Sequence, residues 1–258
     1  MKRPLRILTL NIYLLLILTP PVLFAQSSIL EQILNTRQAL VEVLAENISL
    51  HRSDSGHVAL NPQTGQLVHL QNIKKSAYTR QGAGVIIHPS GVLVTNAHII
   101  HKADRISIIL ADGQQVPARI VRYLNELDLA LLKIDTPSPL HAVTLADSDQ
   151  IRLGDEIMTV GHSFLLNQTV SGGRVIGLGT SLSKIQKGQT RTELIQTSFN
   201  LYEGDSGGPL FDRQGHLIGL MTAKEMNADH SSFAVPSNRI ARYLNGYLKS
   251  LKDPNQTK

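Results

Sequence analysis

Cysteine is missing from all 258 residues of the chain. Its absence excludes disulfides, a thiolate nucleophile and cysteine-ligated metals, so packing must stabilise the fold. A strong net charge is missing too. Without Lys2, Arg3 and Arg6, which precede a candidate processing site, the 25 basic residues fall to 22, against 20 acidic ones. That small excess does not favour a nucleic-acid partner.

The composition, 42% hydrophobic and 17% charged, is that of a globular protein that is neither disordered nor multi-spanning. The first 25 residues differ: a basic start, MKRPLR, precedes an apolar run, two prolines and the small Ala25. This layout predicts a secretory signal peptide over residues 1–25. An uncleaved anchor is the alternative, because the run is almost long enough to span a bilayer. Both interpretations predict a periplasmic or secreted protein, with the membrane as a partner only if the anchor is retained.

Residues 26–56 are predicted to form an N-terminal helical segment. Ser28 and Glu31 match a capping box at its start. Apolar residues recur near one helical face: Leu30, Ile33, Leu34, Val41, Leu44 and Ile48. We expect this helix to dock on its own domain. A partner-binding or oligomerisation arm is the alternative, and the oligomeric state is left open.

Short β-rich runs separated by turn residues begin near residue 57. Turn signals such as Pro89 to Gly91 and Asp112-Gly113 recur between them, which predicts an all-β sandwich or barrel. Apolar residues at helical spacing in PSNRIARYLNGYLKSL predict a C-terminal helix. Seven residues follow Leu251, so no further domain is expected after this helix.

One serine lies in a stretch suited to catalysis, YEGDSGGPLFD. A serine hydroxyl needs a base, a group that orients the base, and donors for the developing oxyanion. Gly204, Gly207 and Gly208 suit a tight turn that exposes Ser206 beside backbone N–H groups. Taken alone, the stretch is equally typical of an ordinary turn.

Two further motifs supply the missing groups. His98 follows an apolar strand in VLVTNAHII, and Asp128 opens an apolar strand in NELDLALLKI. A buried carboxylate is costly unless it is hydrogen-bonded, and an imidazole N–H is a suitable partner. The chain order His98, Asp128, Ser206 is that of the chymotrypsin-type triad.

These three motifs, with GAGVIIHPSG, LADSDQIRLGDEIMTVGHSF and FAVPSN, resemble the trypsin-like serine proteases, particularly their HtrA/DegP branch, from about residue 80 to 240. The resemblance implies two six-stranded antiparallel β-barrels of the chymotrypsin type, with residues 57–150 in the first and 151–258 in the second. It also implies that His98 is the general base, Asp128 its orienting acid and Ser206 the nucleophile. The N–H groups of Gly204 and Ser206 would form the oxyanion hole.

The chain departs from the resembling branch in two ways. A PDZ module usually follows the protease domain there, and neither this module nor PDZ-gated activation is expected here. The branch usually has asparagine before the nucleophile, where this chain has Asp205. Digestive trypsin-like enzymes pair that acid with a freed N-terminus, but no matching start precedes GAGVII. Arg174 is a candidate partner for Asp205.

The predicted function is that of an exported serine endopeptidase acting on extended or unfolded polypeptides, without cofactor or metal. The substrate would lie as an added strand against Thr222 and Ala223. The resemblance assigns Leu201, Lys224 and Glu225 to the primary specificity pocket, where Glu225 would favour a basic substrate side chain or else stand in water. The alternative function is a catalytically silent polypeptide-binding or chaperone module with the same fold.

Overall fold

A computed structural model describes residues 36–60, 66–160, 170–180, 193–202, 204–224 and 230–252. The signal-peptide prediction, and residues 26–35 of the predicted N-terminal helix, lie outside these ranges. Among the residues that the structure does describe, no helix is both long and apolar enough to cross a membrane.

The first six strands close into one antiparallel barrel, in the order β1-β2-β3-β6-β5-β4. A one-turn helix, α1, follows β3, and a 3₁₀ turn at Asn125–Leu127 precedes β6. The bounds are β1 Leu40–Leu60, β2 Leu67–His88, β3 Val92–Thr95, α1 Ala97–Ile100, β4 Arg105–Ile109, β5 Gln115–Leu124 and β6 Leu129–Ile134.

The next six strands close into a second barrel, in the order β10-β11-β12-β9-β8-β7, and the long helix α2 follows the last of them. The predicted double-barrel fold and the C-terminal helix are therefore confirmed. The bounds are β7 Glu156–Val160, β8 Val170–Thr180, β9 Leu194–Thr197, β10 Pro209–Phe211, β11 Leu217–Lys224, β12 Ser232–Pro236 and α2 Ser237–Lys252.

The predicted N-terminal helix is wrong from residue 40 onward, because this part of the chain is strand β1. Glu42–Glu46 pair with β4 on one side while β1 pairs with β2 on the other, so the first barrel begins at Leu40 rather than at residue 57. Residues 40–43 and Ala45 are buried, while Leu44 and Glu46 are half-buried. Burial alone therefore does not distinguish a strand from a helix here, and the ladders with β2 and β4 stabilise the strand.

The largest buried cluster contains apolar side chains from both barrels, such as Leu131 of the first and Phe211 of the second. Ile240, Leu244 and Tyr247 of α2 belong to the same cluster, which explains why this amphipathic helix packs at the end of the chain. Backbone contacts also join the barrels, since the N–H of Ala83 donates to the carbonyl of Ser206 at 2.8 Å. The functional side chains lie along this boundary.

Candidate active site

The short helix α1 presents His98. Ala97, Ile99 and Ile100 are buried, which anchors the turn in the first barrel. The His98 side chain is on the remaining face and is 45% exposed. Burial of the apolar neighbours thus holds the imidazole at the surface, as the sequence motif predicts.

The carboxylate of Asp128 contacts both the backbone and the ring of His98. Its Oδ1 accepts the His98 backbone N–H at 2.9 Å, and its Oδ2 lies 2.8 Å from His98 Nδ1. Asp128 itself is 1% exposed and has a φ of +52°, a conformation that aspartate tolerates better than most residues. The side-chain amide of Asn96 donates to the Asp128 carbonyl at 3.0 Å. An acceptor at Nδ1 favours the tautomer with the proton on Nδ1, which leaves Nε2 free to act as a base.

Thr222 is a second partner of this carboxylate, and the sequence analysis missed that role. Its Oγ1 donates to Asp128 Oδ2 at 2.5 Å, and Thr222 is 4% exposed. The β11–β12 register shifts between Met221 and Ala223, so a bulge falls at Thr222. One feature of the sequence could have indicated this role: Thr222 is a polar residue in the apolar run LIGLMTA, and a buried hydroxyl requires a hydrogen-bond partner.

The turn around Ser206 is held by backbone bonds. The Ser206 carbonyl accepts from Ala83, the N–H of Gly207 donates to Met221 O at 2.9 Å, and Gly208 N–H donates to Asp205 O at 2.9 Å. Gly207 has a φ of +82°, and a Cβ there would lie 2.1 Å from the Ala83 carbonyl oxygen. Only glycine fits at this position, as expected for a turn that exposes the serine.

The N–H groups of Gly204 and Ser206 have no hydrogen-bond acceptor within the described ranges. Gly204 has a φ of +97° and lies in the same turn. The intervening Asp205 N–H, by contrast, donates to the Tyr202 carbonyl at 3.0 Å. Two backbone donors beside Ser206, with no acceptor among the described residues, are the groups that an oxyanion hole needs.

Arg174 and Asp205 each have a partner in the structure. Arg174 Nη2 lies 2.8 Å from Glu156 Oε1, and Arg174 Nη1 donates to the Gly154 carbonyl. Asp205 Oδ2 accepts the backbone N–H of Tyr202 at 2.9 Å. The Asp205 carboxylate therefore stabilises the turn before Ser206. This contact does not require the freed N-terminus that pairs with the corresponding acid in digestive trypsin-like enzymes.

His98 and Ser206 line one cavity of about 400 Å³, together with Gly204, Ile99 and residues 78–81 of β2. A larger cavity, of about 630 Å³, lies on the second barrel between Glu193 and Arg242. Among the described residues that line it, no serine pairs with a histidine, so we assign the chemistry to the smaller cavity.

The pKa of Tyr123 is affected by charged residues beside the site. Partial burial, followed by the charge of Asp128, raises the pKa of the Tyr123 hydroxyl, and Arg80 opposes this shift. The hydroxyl therefore stays protonated and lies 2.8 Å from Nδ1 of His101. His101 is exposed, so this pair lies at the surface.

The residues predicted to contact substrate are only partly described. Leu201 is 5% exposed and packs in the second-barrel core. Ala223 is half-buried in β11, and Lys224 ends that strand opposite Ser232. Glu225 lies outside the described residues. In the part of the chain that is described, no group of three His, Asp or Glu could hold a metal.

Two closed barrels, with a carboxylate–imidazole pair and a glycine-rich turn around a serine at their boundary, are typical of the class of chymotrypsin-fold serine endopeptidases. The trypsin-like peptidase domain matches residues 82–220. The chain therefore belongs to the trypsin-like peptidase family, and its relatives lie in the HtrA/DegP branch.

Periplasmic pH-dependent serine endoprotease DegQ of Escherichia coli is 41% identical over 167 residues, which are 63% of this chain and 36% of that protein. Serine protease HTR4 of Rattus norvegicus is 34% identical over 187 residues, 70% of this chain and 38% of that protein. A solved HtrA-type protease with a tripeptide superposes with a TM-score of 0.65 at 28% identity, covering 89% of this chain and 65% of that one. The chain thus spans little more than a third of the length of these curated relatives.

Proposed function

We propose that the protein is an exported serine endopeptidase with a triad of His98, Asp128 and Ser206. The observation that carries this proposal is the Asp128 carboxylate, which bonds both the backbone and the ring of His98 while Ser206 lines the same cavity. The Asp128 carboxylate is buried and also accepts hydrogen bonds from the His98 backbone N–H and the Thr222 hydroxyl, unlike the carboxylate of an ordinary surface ion pair. This arrangement sets the tautomer and direction of an imidazole, which is the task of a triad acid.

In the proposed reaction, Ser206 Oγ attacks the peptide carbonyl carbon and its proton passes to His98 Nε2. The N–H groups of Gly204 and Ser206 donate to the oxyanion that forms. The C–N bond then breaks, the leaving amine takes the proton from His98, and the acyl group remains on Ser206. Water, deprotonated by His98, then attacks the acyl carbon, the bond to Ser206 Oγ breaks, and His98 returns the proton to Oγ as the carboxylate product leaves. Asp128 stays ionised throughout and stabilises the imidazolium.

The proposed substrate is an extended polypeptide whose acyl side lies along the end of β11. Ala223 and Lys224 supply backbone groups there, and Leu201 and Glu225 bound the specificity pocket. The solved HtrA-type relative holds a tripeptide, which supports a peptide as the ligand. Several relatives are named as periplasmic, which together with the N-terminal sequence supports export.

A fluorophosphonate probe tests this function directly. The wild-type protein should be labelled at Ser206 and should cleave an unfolded protein substrate. Ser206→Ala should show neither activity, because loss of the nucleophile leaves only about 10³ to 10⁴-fold catalysis over water. An unlabelled, inactive wild-type protein that still binds unfolded polypeptide would instead support the silent binding module.

A further inference from the structure

The end of the short helix α1 is bound by side chains from β1 and β2. Arg80 of β2 donates from Nη1 to the His98 carbonyl at 2.9 Å, and its Nη2 donates to the His101 carbonyl. Nη2 also donates to Oδ1 of Asn47, on β1, at 3.0 Å. Asn47 in turn donates from Nδ2 to the carbonyl of Lys102. Two side chains therefore supply donors to three carbonyls around the end of the helix that carries His98.

A one-turn helix has few internal hydrogen bonds to hold its end. The last carbonyls of any helix lack partners within that helix, and α1 comprises only four residues. The chain then leaves helical geometry at His101, whose ψ is 122°, and Lys102 has a φ of +55°. The sequence contains no cysteine, so no disulfide can tie this segment to a strand. Its position depends on packing and on the donors that reach its carbonyls.

Strand β2 presents alternate residues to α1. A Cβ on Gly82 would lie 2.3 Å from Cδ1 of Ile99, so the missing side chain leaves room for Ile99. Arg80 comes two residues earlier and lies on the same face of the strand. Arg80 is half-buried and its Nε is fully buried. Ala45 pairs with Arg80, and Asn47, two residues further along β1, shares the face on which the guanidinium lies.

We propose that Arg80 is a positioning residue, which sets the main chain of His98 so that Nε2 meets the Ser206 hydroxyl. This inference rests on the proposed function, in which His98 is the base. Asp128 Oδ1 accepts the N–H of His98 at 2.9 Å, and Arg80 binds the carbonyl of the same residue. Both backbone groups of His98 are thus bonded to charged side chains, and such hydrogen bonds are about twice as strong as neutral ones.

Arg80 also lines the catalytic cavity, so a direct contact with substrate is the competing role. The two roles affect different kinetic constants. A residue that only positions the base lowers kcat and leaves KM unchanged, whereas loss of a contact made throughout substrate binding raises KM. A displacement of about 1 Å at a catalytic group can cost about 10²-fold in rate. Loss of the Arg80 contacts should therefore appear in kcat.

The first experiment compares Arg80→Ala with the wild-type protein in the cleavage of one peptide. We expect kcat to fall about 10- to 100-fold without a matching change in KM. Arg174→Ala is the matched control, because Arg174 also donates to a carbonyl and lies beside a carboxylate, but on the second barrel. Its kcat and KM should equal those of the wild type. A raised KM with unchanged kcat in Arg80→Ala would make Arg80 a substrate contact and overturn the proposal.

Chemical rescue separates positioning from a general loss of folding. Ethylguanidinium contains the atoms that Arg80→Ala removes beyond Cβ, so it should restore the kcat of this variant in a saturable manner. Ethylammonium has the charge but not the planar fork, and it should restore much less. Neither compound should affect the wild type or Arg174→Ala. Equal rescue by both compounds, or rescue by neither, would refute the assigned contacts.

Asn47→Ala is a milder second variant. It leaves the charge of Arg80 in place and removes one acceptor and one donor, so kcat should fall about 3-fold or more. Because both side chains act on the same helix end, Asn47→Ala with Arg80→Ala should lose less than the product of the two single effects. A strictly multiplicative loss would mean that the two residues act independently, which contradicts the proposed network.

An NMR measurement in a Ser206→Ala background separates this inference from the proposed function. The Nδ1–H of His98, bonded to Asp128, should give one sharp downfield proton resonance at low temperature. Adding Arg80→Ala should shift or broaden this resonance, and adding Arg174→Ala should not, even if the wild-type protein proves inactive. An identical resonance in all three proteins would mean that Arg80 does not set the position of His98.

Discussion

Thr222 and Asp128 come from different barrels and share a hydrogen bond of 2.5 Å between Thr222 Oγ1 and Asp128 Oδ2. The same Oδ2 lies 2.8 Å from His98 Nδ1. Both barrels therefore determine the position of one carboxylate, and that carboxylate orients the imidazole. Packing between the barrels is thus linked directly to the geometry of the proposed base.

Thr222→Val should lower the free energy of unfolding by roughly 1.5–3 kcal/mol, the usual value of a hydrogen bond to a charged group. Valine has nearly the same shape, so the lost donor is the main change. We also expect a lower kcat with little change in KM, because the ring of His98 is less well held. Chemical denaturation and steady-state kinetics measure these quantities. Thr222→Ser keeps the hydroxyl and should behave like the wild type; equal losses in both variants would assign the effect to packing.

Asp128→Asn should reduce kcat by about 10⁴-fold while the fold is retained. The asparagine amide can donate to Nδ1, which would place the imidazole proton on Nε2 and prevent that nitrogen from acting as a base. Circular dichroism checks the fold, and peptide hydrolysis checks the rate. A variant with more than a tenth of wild-type kcat would contradict the assigned role of Asp128.

Gly207→Ala should abolish activity and destabilise the second barrel, because the added Cβ would lie 2.1 Å from the Ala83 carbonyl oxygen. Gly113→Ala is the matched control. Gly113 has nearly the same φ, +85° against +82°, but a Cβ there would meet nothing within 4 Å. Both alanines carry the cost of a left-handed conformation, so the difference between their melting temperatures reports the clash. Similar losses of stability in the two variants would argue against a close approach at Gly207.

Asp147 predicts a pH-dependent contribution to stability. The hydrogen bond from the Asn238 side chain, followed by that from the Asp149 N–H, holds the pKa of the Asp147 carboxyl below its ordinary value of 3.8. A lowered pKa stabilises the fold fully above pH 3.8, and this contribution is lost as the pH falls through the folded-state pKa. Asp147→Asn should therefore melt earlier than the wild type at pH 6, and the difference should shrink below pH 4. A difference in melting temperature that is constant from pH 7 to pH 2 would contradict this assignment.

Glu225 remains a prediction from sequence. If its carboxylate lines the specificity pocket, lysine or arginine should be preferred before the scissile bond, through a charge-assisted hydrogen bond. Glu225→Gln should then reduce that preference about 10-fold or more in a peptide-library profile. A profile dominated by valine, alanine or leucine, and unaffected by the substitution, would place Glu225 in solvent.

The two-barrel arrangement was implied by the resemblance to trypsin-like proteases. The sequence alone determined an all-β fold, the C-terminal helix and the three motifs around His98, Asp128 and Ser206. Each of these depends on local patterns: turn residues between apolar runs, helical spacing in α2, and glycines whose conformation can be read without knowing the neighbours. For the same reason the turn at Gly207 was predicted correctly.

Only the tertiary structure decided the strand at Leu40–Glu46 and the role of Thr222. The segment carries both a helical and an alternating pattern, and hydrogen bonding to β2 and β4 on either side selects the strand. Thr222, which lies at the bulge in β11, meets Asp128 across 94 residues and between two barrels. Strands β1 and β2 likewise extend beyond the barrel because they continue to pair with each other after their pairing with β4 and β3 has ended. These outcomes depend on contacts between distant parts of the chain, and local sequence patterns carry no information about such contacts.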